Sequence, residues 1–284
     1  MRINTNVSSL NAQEAAQNTN KLMQNSLEKL STGYRINKAA DDASGLAIAD
    51  KLRTQATSIN QGIDNGNSAI ALLQIADKSM AEQSKILDTI KAKLIQANTD
   101  TTSSAGREAI AKDVSKLLEQ LDNIGKQTNY NGRQLISGSD GTSSASIHTF
   151  QVGEKSTDTI STVGISSNTT GLSLTTLKGQ VSSGASANFS KTQAATAQSA
   201  VNAAITKLNT MRADIGSTQN KVESAVRNLM TQATNVKAAE AIIRDVDYAA
   251  ESANFNKQNI IAQAGTYSIS QANSAQQNVL RLLQ

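Results

Sequence analysis

A heptad pattern that runs without a break from Ile59 to Leu94 constrains this chain more than any other feature of its sequence. Its positions are separated by steps of four and three residues in turn, the spacing that keeps one face of an α-helix directed at a partner. The pattern comprises Ile59, Ile63, Gly66, Ile70, Leu73, Asp77, Met80, Ser84, Leu87, Lys91 and Leu94. It predicts a long helix that packs against other helices along its length.

Two further segments have the same spacing. The shorter one comprises Ile110, Val114, Leu117, Leu121 and Ile124. The longer one comprises Val201, Ile205, Leu208, Arg212, Ile215, Gln219, Val222, Val226, Leu229, Ala233, Val236, Glu240 and Ile243. Three such seams can bury their apolar faces against one another, so we predict a mainly α fold, an elongated coiled-coil-like helical bundle.

Composition argues against a thick globular core and against most catalytic chemistry. Three Phe, four Tyr and no Trp are too few aromatic side chains for such a core. The chain lacks Pro, the commonest helix breaker, and Cys, which rules out disulfides and thiol chemistry. A single His disfavours most metal sites and nucleophilic triads. We therefore predict no catalytic, cofactor-binding or metal-binding residues and expect that the chain is not an enzyme.

Charge and hydropathy argue against nucleic acid and against a membrane as partners of this chain. The formal net charge is +4, but basic residues are interspersed with acidic ones, which indicates a solvated helical surface rather than a nucleic-acid footprint. The first residues lack the apolar region of a Sec signal peptide, and no apolar run is long enough to span a membrane.

The middle of the chain, about residues 137–190, is rich in Ser, Thr and Gly. Alternation around Phe150 and Val152, and again from Ile160 to Ile165, predicts two short strands joined by a turn at Gly153–Asp158. A flexible linker is the alternative. We expect the lone His148 to lie at the surface of this polar segment. Its Ser and Thr residues are also potential acceptors of O-linked sugars.

The adjacent carboxylates Asp41 and Asp42 have two interpretations. They could form part of an acid/base or metal site, but they directly precede a helical segment. An N-cap or an acidic first turn explains them more simply, so we assign them to helix initiation and local packing.

Both ends of the chain have sparse apolar stripes, and at the C-terminal end about half of the stripe positions are small or amide residues. Stripes of this kind bury too little area to fold alone in water. Each end could bury more by pairing with the other end and with copies in neighbouring chains. We therefore predict terminal helices that pair on assembly into a polymer.

Three segments resemble bacterial flagellins closely. They are INTNVSSLNAQ (3–13) with SLEKLSTGYRINKAADDASGLAIADKLRTQ (26–55), TNYNGRQLISG (128–138), and IRDVDYAAESANFNKQNIIAQAGTYSISQANSAQQNVLRLL (243–283). The resemblance covers roughly the first 140 and the last 90 residues. It implies a short flagellin in which the large outer domains of longer members are missing.

The resemblance implies a four-part organisation. Residues 1–42 and 244–284 would be inner-tube helix regions, 43–190 would hold rod helices and the β-hairpin region, and 191–243 would be the C-terminal rod helix. Inner-tube assembly contacts are expected at Ile3, Val7, Leu10, Leu27, Leu30, Ile269, Val279, Leu280, Leu282 and Leu283.

The function that the resemblance implies is that of a structural subunit, secreted by flagellar type III export, that polymerises into the extracellular filament for motility. Expected partners are further copies of the chain, a flagellar export chaperone, the filament cap protein and the hook–filament junction protein. The nearest alternative is that the chain is itself a junction protein, although that class departs more from the INTN and QAN patterns. An adhesin or immune ligand is a second alternative, and an enzyme is the third.

The resemblance also bears on the innate receptor TLR5. Flagellins that activate the receptor read QRVRELAV where this chain reads DTIKAKLI, Asp88–Ile95, as in the receptor-evading subgroup. Thr89 stands in place of a key Arg, whereas Leu87 and Asp113 match the remaining contact positions. The resemblance therefore implies a weakened contact surface and, at most, weak TLR5 binding.

Overall fold

The computed structural model describes residues 5–138, 146–182 and 189–282, and for residues 279–282 only the helical backbone. The helices are α1 (Val7–Thr32), α2 (Ala43–Ala97), α3 (Ser104–Gln127), α4 (Thr175–Val181), α5 (Lys191–Arg244) and α6 (Tyr248–Leu282). The strands are β1 (Asn129–Tyr130), β2 (Arg133–Gln134), β3 (Thr149–Gln151) and β4 (Thr159–Ser161). The prediction of a mainly α fold is confirmed.

The chain forms two compact units. The terminal unit contains Met1–Ala56 and Thr234–Gln284, and the central unit contains Thr57–Ala233. Within the described ranges, no helix combines the length and the apolar character needed to cross a membrane. The same residues contain no group of three or more His, Asp or Glu side chains placed to bind a metal ion.

The core of the central unit is formed by α2, α3 and α5, whose buried apolar residues make one continuous cluster. The buried stripe of α2 has the predicted heptad spacing, but its phase differs from the prediction. The stripe comprises Ile59, Gly62, Gly66, Ala69, Leu73, Ala76, Met80, Gln83, Leu87, Ile90, Leu94 and Ala97. Every second predicted position is therefore correct, and the alternate ones are wrong by one residue.

The displaced positions line the edges of the α2 stripe. Ile63, Ile70, Asp77, Ser84 and Lys91 are half-buried, because the smaller residues that precede most of them allow close helix packing. Helix α5 has the same phase shift: Ala204, Met211 and Thr218 are buried in place of Ile205, Arg212 and Gln219.

Two of these edge residues form an ion pair between α2 and α5. Arg212 Nε donates to Asp77 Oδ1 across 2.9 Å, and about a third of each side chain is exposed. A pair this accessible to solvent stabilises the bundle little, about 1 kcal/mol at most. The burial of the apolar stripes therefore dominates the packing of the two helices.

Gln83 is a buried polar residue within the α2 stripe. Its Nε2 donates to the carbonyl oxygens of Leu121 in α3 and Ser167 in the chain after β4, at 3.1 and 3.2 Å. These bonds connect three parts of the core and offset part of the cost of burying the amide. Its Oε1 has no partner among the described residues.

The predicted hairpin in the Ser/Thr-rich middle of the chain is confirmed. Strands β3 and β4 are antiparallel, with Phe150 opposite Ile160 and Gln151 opposite Thr159. The flexible-linker alternative is therefore wrong for residues 149–161. The Ser/Thr-rich stretches 139–145 and 183–188 lie outside the described residues.

The expectation of a surface position for His148 is wrong. The residue is only 4% exposed, and Nε2 lies 3.2 Å from the carbonyl oxygen of Leu135. Burial lowers the pKa of His148, the nearby charge of Arg133 lowers it further, and the bond to Leu135 opposes both effects. The polar neighbours of His148 along the chain gave no sign that this residue, directly before β3, packs against the 128–138 segment.

A second hairpin, β1–β2, was not predicted. Tyr130 pairs with Arg133 across the two-residue turn of Asn131 and Gly132, whose φ angles are 50° and 78°. Positive φ at both central residues defines a type I′ turn, and Asn-Gly is its strongest sequence signal. The signal was present in TNYNGRQL, but the flanking strands are too short to show a strand pattern.

Candidate assembly surface of the terminal helices

Helices α1 and α6 of the terminal unit pack against each other along their lengths and run antiparallel. Asn6 connects the start of α1 to the C-terminal part of α6. Its Oδ1 accepts from Ser9 N–H and caps α1, and its Nδ2 donates to the Ala272 carbonyl at 3.1 Å. The helices also approach closely at Gly265, where an added β-carbon would lie 3.6 Å from Ala16 Cβ. The predicted pairing of the terminal helices is confirmed, and its dependence on assembly remains a prediction.

Where α1 ends and α6 begins, the two helices are joined by an isolated antiparallel β-bridge between Tyr34, in the loop after α1, and Asp245, in the loop after α5. We call this bridge the clasp. Arg35 N–H donates to the Arg244 carbonyl at 2.7 Å, and Val246 N–H donates to the Gly33 carbonyl at 3.0 Å. The guanidinium of Arg244 stacks over the Tyr34 ring, 4.5 Å from its centroid. Gly33 has a φ of 76°, which permits the left-handed turn that ends α1 and presents this loop to the clasp.

The two adjacent carboxylates shape the loop before α2. Asp42 Oδ1 accepts from Gly45 N–H at 2.9 Å and therefore caps α2, as predicted. Asp41 Oδ2 accepts from the backbone N–H groups of Asn37 and Lys38, both at 3.0 Å. These two bonds hold the pKa of Asp41 below its ordinary value. Both carboxylates therefore have a structural role: Asp42 caps α2, and Asp41 holds the preceding loop.

The packing of α1 leaves its large apolar side chains exposed. The two residues that α1 buries are polar, Thr19 and Ser26. Leu27, by contrast, is 56% exposed, and on α6 Ile260 and Tyr267 are 67% and 73% exposed. Burying a Leu or Ile side chain is worth about 1.5–3 kcal/mol, so this arrangement leaves substantial hydrophobic free energy available for a partner. We call the exposed apolar residues of α1 and α6 the terminal apolar surface: Val7, Leu10, Leu22, Leu27, Tyr248, Ile260, Ile261 and Tyr267.

The predicted assembly residues fall into three groups. Val7, Leu10 and Leu27 belong to the terminal apolar surface. Leu30 and Ile269 are half-buried beside it. The others cannot be placed, because Ile3 and Leu283 lie outside the described residues, as do the side chains of Val279, Leu280 and Leu282.

Sequence reasoning missed several members of this surface. Leu22 is not among the assembly contacts expected from the sequence, and the adjacent pair Ile260–Ile261 occurs there only within the quoted C-terminal motif. Tyr267 was quoted in a motif without a role. Exposed apolar residues of this kind do not follow a single seam, because a helix that contacts several partners buries more than one face.

The residues expected to face TLR5 lie in the central unit, and the structure separates them by burial. Thr89 is exposed on α2, where its hydroxyl donates to the Lys85 carbonyl at 2.9 Å. Asp113 is exposed on α3 and accepts from Lys93 Nζ at 3.1 Å. Leu87 is fully buried in the α2 stripe, which corrects the expectation that it offers a contact.

Comparison with known proteins agrees with this geometry. The family model of the bacterial flagellin N-terminal helical region matches residues 3–140, and that of the C-terminal helical region matches residues 198–283. The flagellin of Bacillus subtilis (strain 168) is 34% identical over 303 aligned residues, which cover 100% of both chains. The flagellar filament 33 kDa core protein of Treponema phagedenis is 34% identical over 299 residues, again with 100% of each chain covered.

Among solved structures, a candidate flagellar hook-associated protein from Vibrio parahaemolyticus has a TM-score of 0.59. The alignment covers 72% of this chain and 99% of that one at 12% sequence identity. At this identity the likeness concerns the fold alone. The full-length sequence relatives are the ones that bear on family membership.

Proposed function

The chain belongs to the bacterial flagellins, the structural subunits of the extracellular flagellar filament, and we propose that its terminal apolar surface holds neighbouring subunits together. The two full-length relatives match over their whole lengths, so this is a short flagellin without large outer domains. No comparison favours the hook–filament junction alternative, because the hook-associated structure is similar in fold only.

One observation carries the proposal: α1 buries Thr19 and Ser26 against its own chain and leaves Leu10, Leu22 and Leu27 exposed. A helix pair intended for a solitary chain would bury the leucines and expose the hydroxyls. Exposed apolar side chains on both helices favour burial against further copies of the same surface. In a helical polymer every subunit repeats these contacts, so a modest gain per residue stabilises the whole assembly.

We extend the proposal to the assembly residues that the structure does not describe. Ile3, Val279, Leu280, Leu282 and Leu283 continue the apolar stripes of α1 and α6 in the sequence. We expect them to join the same inter-subunit core, with Leu30 and Ile269 at its edge. The proposed inner-tube regions 1–42 and 244–284 would contain all of these residues.

Further partners remain part of the proposal. A terminal surface that is apolar before assembly needs protection, which supports a role for an export chaperone that covers α6. Secretion through the flagellar type III channel suits a chain without Cys or Pro. The cap protein and the hook–filament junction protein would meet subunits at the two ends of the filament. No catalytic activity is needed for any of these roles.

We also propose that TLR5 binds this flagellin poorly. Thr89 offers one short hydroxyl, which is already bonded to its own helix, where an Arg would offer a fork of five donors. Asp113 is exposed but already paired with Lys93. The fully buried Leu87 adds no accessible surface.

Seeded filament elongation tests the assembly proposal. The variant Leu27→Asn removes an apolar side chain that is exposed in the single chain, so the monomer should keep its helical circular dichroism. We expect the critical concentration for elongation to rise by about thirtyfold, which corresponds to the loss of about 2 kcal/mol of burial. Leu27→Met retains the apolar area and is the matched control, with elongation close to wild type.

The outcome is decisive in both directions. If Leu27→Asn elongates seeds at the wild-type critical concentration, this part of α1 does not contribute to subunit contacts. If Leu27→Met fails as severely as Leu27→Asn, shape rather than burial governs the position.

A further inference from the structure

The two Asn-Gly pairs of the chain lie in very different surroundings. Asn65 and Gly66 lie within α2, whereas Asn131 and Gly132 form the turn between β1 and β2. Asn followed by Gly is the most labile form of Asn, because Gly has no side chain to hinder approach to its backbone nitrogen. The fold therefore contains one potential modification site and its own internal control.

In α2 the Asn-Gly pair is held in place. Asn65 Oδ1 accepts from Gln61 Nε2 at 3.0 Å, and Asn65 Nδ2 donates to the Gln151 carbonyl at 3.1 Å. Gly66 is buried, and its N–H group is part of the helical hydrogen-bond ladder. Neither the amide carbon nor the backbone nitrogen is free to move towards the other.

At the β1–β2 turn both residues are exposed, as is the following Arg133. The positive φ angles, 50° and 78°, place Asn131 and Gly132 at the two central positions of a type I′ turn. In such a turn the hydrogen bonds join the flanking residues, so the N–H of the second central residue is outside the ladder. An added β-carbon on Gly132 would have no neighbour within 4 Å, so the site has room to rearrange.

From this contrast we propose that Asn131 is a site of spontaneous deamidation in the folded protein. The backbone nitrogen of Gly132 attacks Cγ of Asn131, the new N–Cγ bond closes a five-membered succinimide, and the Cγ–Nδ2 bond breaks. The proton of the Gly132 N–H leaves with Nδ2 as ammonia. Water then opens the ring at either carbonyl and gives Asp or isoaspartate at position 131. The proposal does not depend on the filament role.

The modification has a local consequence. Directly after β2, Leu135 and Ile136 are fully buried, and Leu135 N–H donates to the Thr128 carbonyl at 3.1 Å. Isoaspartate routes the main chain through the side-chain carbon and so adds one backbone atom to a two-residue turn. The register of Tyr130 with Arg133 cannot survive this change, so the Leu135 amide should lose protection.

Peptide mapping of the full-length monomer tests the proposal. The protein is incubated in mildly alkaline buffer made with water labelled with a heavy oxygen isotope, in parallel native and fully denatured samples. Trypsin then releases the peptide QTNYNGR, residues 127–133, and the peptide 54–78 that contains Asn65. Fragmentation spectra locate the mass increase of about 1 Da, plus label, that accompanies conversion of Asn to Asp or isoaspartate.

In the native sample we expect Asn131 to convert at least about tenfold faster than Asn65, because the helix must open locally before Asn65 can react. In the denatured sample the two rates should agree within about threefold, since the same dipeptide then reacts in both places. A native Asn131 rate as low as that of Asn65, with both fast in denaturant, would overturn the proposal by showing that the turn geometry blocks ring closure.

Two further measurements test the role of Gly132 in the reaction and the structural consequence of the modification. Gly132→Ala should slow conversion at position 131, and if this variant folds poorly the wild-type comparison still decides. Deamidated protein, isolated by the extra negative charge that its Asp and isoaspartyl forms share, should show faster amide hydrogen exchange at Leu135 than the unmodified chain, in proportion to its isoaspartate content. Unchanged protection at Leu135 would overturn the proposed consequence while leaving the modification itself intact.

Discussion

A β-carbon added to Gly62 would lie 2.5 Å from the carbonyl oxygen of Val152, so the β3–β4 hairpin rests directly on the backbone of α2. Gly66, one turn further along α2, is similarly close to a Val226 methyl group on α5. Glycine inside a helix costs about 1 kcal/mol relative to alanine. Close approach of the backbone to its neighbours explains why both glycines are nevertheless compatible with a long stable helix.

Gly62→Ala should therefore destabilise the central unit. The clash is with a backbone atom, which cannot rotate away, so we expect a loss of about 1–3 kcal/mol despite the gain in helix propensity. Gly216→Ala on α5 is the matched control, because an added β-carbon there meets nothing within 4 Å. It should stabilise the fold by up to about 1 kcal/mol. Urea unfolding at equilibrium measures both; a stabilised Gly62→Ala variant would show that the hairpin yields easily.

His148 should make the stability of the central unit dependent on pH. Burial holds its pKa below the unfolded value of 6.5, so the unfolded chain binds more protons in the window between the two values. Its contribution is intact above the unfolded pKa and is lost as pH falls towards the folded pKa. The free energy of unfolding should then fall by at most about 1.4 kcal/mol per pH unit from this residue.

The measurement is urea unfolding of wild type and His148→Gln at a series of pH values. The difference between the two free energies should shrink on acidification through the window that begins near the unfolded pKa. Two groups act on the imidazole besides burial: the Leu135 carbonyl, which accepts its hydrogen bond, and Arg133, whose charge opposes protonation. Parallel pH profiles for the two proteins would mean that His148 titrates as if it were exposed.

Removal of residues 279–284 should abolish filament formation. This segment contains Val279, Leu280, Leu282 and Leu283, and burial of one Leu contributes about 2 kcal/mol to each repeated contact. The helical circular dichroism of the central unit should be unchanged, since its core lies entirely within residues 57–233. Electron microscopy after seeding is the readout, and replacement of the three leucines by Met is the control. Filaments of normal length from the truncated chain would contradict the proposal.

The TLR5 prediction is tested with a receptor reporter assay on monomeric protein. We expect activity at least about thirtyfold below that of a flagellin with the QRVRELAV segment, the effect of losing one central charged anchor. Thr89→Arg should raise the response, whereas Lys85→Arg, one turn away on α2, should not. A wild-type response equal to that of the positive control would show that the residue at position 89 does not matter.

Local sequence signals were reliable where they act within a few residues. Asp42 precedes a helix and caps it, and the alternation on both sides of Gly153–Asp158 became β3 and β4. The β1–β2 turn also had its signal, Asn-Gly, but lacked strands long enough to be recognised. His148 could not be placed in this way, because its burial depends on Leu135, which lies directly after the other hairpin, β1–β2.

By itself the sequence determined that the chain forms long helices with heptad seams and that it has few residues suited to catalysis or metal binding. It also determined that the two ends have apolar residues that no local pattern buries. Those properties follow from residue spacing and composition, which are local. The tertiary structure alone decided the phase of each seam. Steps of four and three fit a helix as well as steps of three and four, so Ile59 and Gly66 are compatible with either Gly62 or Ile63 between them. The close approach of Val152 to α2 leaves room for Gly62, and this contact lies beyond the reach of any pattern within the helix.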